Sequence, residues 1–121
     1  MAGLRVLDDD AAGTVERVCD AIVPGSARVR PAVYIDAVLA AMDDATRDAA
    51  VAAFSAVATG TIDRHAGTPE FAWVRALAIE AFYSDFVAPG APGPGAYEEI
   101  DFHSPLALRI AKDWSFMGIG A

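Results

Sequence analysis

Apolar residues recur at helical spacing through most of the chain, and no segment sustains the alternation of a strand. Val15, Val18, Cys19 and Ile22 stand at i, i+3, i+4 and i+7, which predicts a first helix. Asp8-Asp9-Asp10 precede it, where acids suit a helix N-terminus; Thr14 is the expected N-cap and Pro24-Gly25 the stop. Pro31 fits the first turn of a second helix with Tyr34, Ile35, Val38, Leu39 and Met42 inward. Asp43-Asp44 end it and cap a third, from about Ala45 to Thr59, with Val51, Phe54 and Val57 inward. The pattern allows that helix to continue through Ile62 to His65 despite Gly60. Thr68-Pro69 is a strong start for a fourth helix, running to about Ser84, with Phe71, Val74, Leu77, Ala78 and Phe82 inward and Trp73 beside them. A final short helix is expected from Ser104-Pro105, carrying Leu106, Leu108 and Ile110. The expected fold is all-α: about four helices, a short C-terminal helix and an aromatic tail rich in proline and glycine.

That tail is the least ordinary part of the chain. Seven of the eleven aromatics fall between Phe82 and Ala121, interrupted by the loop Ala88–Gly95 with its three prolines. Disordered segments are poor in aromatics, because they cannot bury enough apolar surface to offset ordering entropy. Residues 1–121 are therefore read as one helical domain, of which 88–121 wraps the domain or docks on a partner. Large aromatics concentrate at interfaces, so the expected partner surface is Tyr83, Phe86, Tyr97, Phe102, His103, Trp114, Phe116 and Met117. Burying Tyr97, Phe102, Trp114 and Phe116 would supply several kcal/mol, at roughly 1.5–3 each before ordering costs.

Composition narrows the partners. With 121 residues the chain can own a core, and its 55% hydrophobic content is inflated by alanine, which adds little core volume. A net charge of −8 disfavours nucleic acid and anionic membrane surfaces. No run approaches the roughly 20 apolar residues of a membrane span. The opening stretch MAGLRVLDDDAAG carries no signal-peptide core and no twin arginine, so a cytoplasmic location is expected. Cys19 is the single cysteine, which excludes an intrachain disulfide.

Candidate chemistry is sparse. Cys19 lies on the inward face of the first helix and reads as a small core residue. His65, His103 and Cys19 form no ligand pair by spacing; Asp101 and His103 could approach one metal, but turn and packing roles outweigh that reading. Glu98-Glu99, Asp43-Asp44 and Asp8–Asp10 read as solvated or helix-end charges. The proline-interleaved Gly90–Gly95 loop lacks the preceding strand and the donors of a phosphate loop. No catalytic, cofactor-binding or metal residue is assigned.

Two segments, read together, carry a resemblance. The first is Val18-Cys19-Asp20-Ala21-Ile22-Val23-Pro24-Gly25 followed by Tyr34-Ile35-Asp36. The second is Phe82-Tyr83-Ser84-Asp85, a Pro/Gly loop, then Trp114 and Gly118-Ile119-Gly120. Together they resemble the gluconate 2-dehydrogenase subunit 3 family, with its "A-D-x-I-I-P"-like helix stop, "F-I-D" helix, "Y-Y-S-D/N"-like helix end and aromatic, glycine-rich tail. The resemblance implies a small accessory subunit of a large flavin-dependent sugar or polyol dehydrogenase of the glucose-methanol-choline type. FAD and the catalytic base would then belong to the partner. Some members carry a twin-arginine leader, which this sequence does not display. Two alternatives stand beside this reading. One is a small stand-alone isomerase or cyclase using Tyr83, Asp85, Asp101 and His103; the other is a homo-oligomeric helical binding module.

Overall fold

A computed structural model describes residues 3–59, 62–99 and 114–119. The described residues form α1 (Asp9–Ile22), α2 (Pro31–Ala40), α3 (Asp44–Val57), α4 (Pro69–Tyr83) and a four-residue α5 (Ala96–Glu99), with no strand among them. Short 3-10 turns lie at Ser26–Val29, Ile62–His65 and Ser115–Met117. The all-α expectation is met. The helix expected from Ser104-Pro105 lies outside the described residues.

The helix ends follow from local donors and acceptors. Asp8, not Thr14, caps α1: its carboxylate accepts from the Ala11 N–H at 2.7 Å. Thr14 sits within the helix, its hydroxyl turned back to the Asp10 carbonyl. Asp43 caps α3 through the Thr46 N–H, and Thr68 caps α4 through the Phe71 N–H with Pro69 in the first turn. α3 ends at Val57 and does not run on to His65. Thr59 instead offers its carbonyl to His65 Nε2 at 2.6 Å, closing the connection. α2 ends two residues before Met42, which is half-buried against the core.

The core is built where the four long helices meet. Val15, Val18 and Cys19 of α1 face Ile35 and Leu39 of α2, Phe54 and Val57 of α3, and Val74 and Leu77 of α4. α3 packs most extensively on α4, while α2 lies against α1 and α4. A smaller cluster of Val23, Val29, Phe82 and Ala96 sits under the Pro/Gly loop, fringed by Ile22, Ile79, Val87 and Tyr97. No described helix is long and apolar enough to cross a membrane.

Candidate functional site

Each aspartate of the resembling segments serves as a clamp on backbone. Asp20, on α1, accepts from the Gly25 and Ala27 N–H groups and fixes the turn after the helix. Asp36, on α2 and buried, accepts from three successive amides: Arg5 N–H on Oδ2, and Val6 and Leu7 N–H on Oδ1, each at 2.9 Å. This binds the N-terminal segment across the bundle. Asp85 follows the last turn of α4 in the left-handed conformation, with φ 65°, a conformation that aspartate tolerates better than most residues. Its Oδ1 accepts from the Tyr97 N–H at 3.1 Å, and a Cβ on Gly95 would stand 2.7 Å from that oxygen. The Pro/Gly loop is therefore laced to its own domain. Ala88 N–H donates to the Val29 carbonyl, Gly93 N–H to the Arg28 carbonyl, and Arg28 Nε to the Pro94 carbonyl.

The expected partner residues divide sharply. Phe86 is completely buried, edge-on to Tyr34 at 5.3 Å between ring centroids, so it is a core residue rather than a docking one. It was misplaced because Asp85 turns the chain back immediately after α4, which the composition of the tail does not reveal. Trp114 is half-buried, packed edge-on to Phe86 at 5.2 Å and to Tyr34 at 6.2 Å. Met117 is half-buried, and its carbonyl accepts from Arg5 Nη2 at 2.9 Å. Tyr97 is half-buried against the smaller cluster. Two aromatics do stand in solvent: Tyr83 at 54% exposure and Phe116 at 79%. Phe102 and His103 lie outside the described residues, as does Asp101.

Among the described residues, the titratable groups differ in how burial perturbs them. Burial pushes the Cys19 thiol up to about 12, aided by the negative charges of Glu16 and Asp20. A thiol so far from ionising is a poor nucleophile. Tyr34 is raised from its ordinary value by burial and then by the Glu80 charge. Glu16 is the most perturbed carboxyl. Burial raises it from 4.5 to about 7, and the Ala32 amide and Arg30 guanidinium pull downward without offsetting that. Both its carboxyl oxygens are buried, and neither reaches a partner at hydrogen-bonding geometry. Tyr83 and Asp85, paired in the isomerase reading, diverge: the ring faces solvent and the carboxylate faces inward. Among the described residues no three His, Cys, Asp or Glu side chains group as metal ligands.

A feature not foreseen in the sequence is a cleft of about 260 Å³ between the end of α1 and α4, lined by Ile22, Val23, Pro24, Arg75, Ile79, Phe82 and Tyr83. Arg75, Ile79 and Tyr83 are spaced i, i+4, i+8, which places them on one face of α4. That spacing was the available signal. No family model, no curated protein and no solved structure matches the chain.

Proposed function

We propose that this chain is a non-catalytic accessory subunit that stabilises a large flavin-dependent sugar or polyol dehydrogenase of the glucose-methanol-choline type. The observation that carries the reading is how the aspartates of the resembling segments are used. Asp20, Asp36 and Asp85 each accept backbone N–H bonds that hold a turn, the N-terminal segment or the Pro/Gly loop in place. Those segments are thus framework, as suits a subunit whose contribution is shape. The solvent-facing rings of Tyr83 and Phe116 supply apolar surface of the kind that interfaces cover. Under this reading FAD and the acid–base chemistry reside in the partner, and this chain raises the partner's folded yield.

Co-expression tests it. A flavoprotein encoded beside this chain, produced with and without it, should co-purify as a complex with bound flavin and dye-linked sugar or polyol oxidation. Without this chain its soluble yield should fall severalfold. A flavoprotein equally soluble and active alone, with no complex by size-exclusion chromatography, refutes the proposal.

A further inference from the structure

We infer that the cleft between the end of α1 and the outward face of α4 is the partner-docking site, and that it takes an apolar side chain flanked by one carboxylate. The inference rests on the subunit reading above and moves the site from the tail to α4. Apolar residues are spread round both α2 and α4 rather than confined to one stripe. A helix apolar on all sides needs cover on all sides. α2 has it, from α1, α4 and the N-terminal segment. α4 does not: Ile79 is half-covered and Tyr83 is 54% exposed. Ile22 and Pro24 form the opposite wall, and the buried ring of Phe82 the floor. That floor is fixed, with the Arg28 guanidinium 5.0 Å from the ring centroid and the Tyr83 ring edge-on at 5.1 Å. A cleft with a buried aromatic floor beside an exposed tyrosine is the setting in which binding hot spots occur.

Charge selects the occupant. Arg75 is the one charged side chain lining the cleft, is exposed, and makes no ion pair among the described residues. Arg47, by contrast, is paired with Asp44 and Asp48. A free guanidinium at the rim recognises a carboxylate. The chain's net charge of −8 repels a broadly acidic partner, so the match is a single carboxylate in an otherwise neutral or basic segment. A second copy fits poorly. A two-fold contact centred here would bring Arg75 towards its own counterpart and one −8 chain against another.

Random octapeptides displayed on phage and panned against the full chain test this directly. The expected consensus sets a bulky apolar residue within two positions of Asp or Glu. The synthesised winner should shift the amide resonances of Ile79 and Tyr83. Arg75→Glu and Tyr83→Ala should each weaken it by about tenfold or more, Arg75→Ala less, and Phe116→Ala should leave it unchanged. All three residues substituted are at the surface, and unaltered melting of the variants checks that they fold. A consensus without an acid, no consensus, shifts centred on Phe116, or indifference to Arg75→Glu would overturn the inference. So would self-association that Tyr83→Ala abolishes. A flavoprotein complex insensitive to Arg75→Glu overturns this site alone, whereas absence of any flavoprotein complex alongside an acidic, apolar consensus overturns the redox reading alone.

Discussion

Replacing Asp36 should release the N-terminal segment from the bundle. In Asp36→Ala three amides lose their acceptor together. The losses are unequal. Leu7 is 6% exposed, so its N–H stays dry and carries the full desolvation cost, roughly 1–3 kcal/mol. Arg5 is exposed and Val6 half-buried, so water can replace the carboxylate there, at about 0.5–1.5 kcal/mol each. The total is about 2–6 kcal/mol, a large fraction of the 5–15 kcal/mol typical of a domain. Asp36→Asn should cost less, about 1–2 kcal/mol: its oxygen can still serve Val6 and Leu7, while its NH₂ confronts the Arg5 N–H. Urea melts of both variants give these values from the shift in midpoint at constant slope. A second readout follows the strain outward. Arg5 holds the Met117 carbonyl, and Trp114 packs nearby on Tyr34 and Phe86. In a Trp73→Phe background, release of the segment should expose Trp114 and red-shift its emission well before global unfolding. An Asp36→Ala loss below about 1 kcal/mol, with Trp114 emission unchanged, would refute the clamp.

Three further outcomes are expected. Glu16 has its folded pKa raised from 4.5 to about 7, so the folded state binds the extra proton; stability is full below 4.5 and is lost as pH rises through about 7. At about 1.4 kcal/mol per pH unit the ceiling is ~3.4 kcal/mol, reduced to about 1–2 by partial solvent screening; Glu16→Gln should flatten urea stability between pH 5 and 8 and gain about 1 kcal/mol at pH 8. Gly95→Ala should cost about 1–3 kcal/mol in melts, because its methyl meets Asp85 Oδ1 at 2.7 Å and that carboxylate is tied to Tyr97. Cys19, with its thiol pushed up to about 12 and no exposure, should react with iodoacetamide at pH 8 only as fast as the domain opens; a rapid labelling phase in native buffer would contradict its burial.

The helices were legible because apolar spacing and end signals are local. Thr68-Pro69 declared the start of α4, and Tyr34, Ile35 and Leu39 declared the inner face of α2. The N-cap of α1 was misread because Asp8 and Thr14 are both good caps, and the choice rests on a single 2.7 Å bond. The clamps were hidden for a different reason. Asp36 meets amides some thirty positions away, and no side-chain type marks those amides as its partners. Phe86 was assigned to the surface because the tail was weighed as one body. A left-handed aspartate turns the chain back after α4, so Phe86 enters the core while Tyr83 and Phe116 stay in solvent.

The tail and the N-terminal segment secure each other, and this alters where recognition can lie. Asp36 fixes Arg5, Arg5 holds Met117, and Trp114 closes over Tyr34 and Phe86. Residues 114–119 would give up these contacts on lifting away to meet a partner. Contacts to a partner are better made by side chains that the domain does not need. Arg75 and Tyr83 come nearest to that condition: both stand exposed on α4, and Tyr83 touches the core only through its edge contact with Phe82. Substitution there can change partner choice at little cost to the fold, whereas substitution at Asp20, Asp36 or Asp85 changes the fold first. The aspartates of the resembling segments hold the frame, and the proposed docking site lies on the face of α4 between those segments.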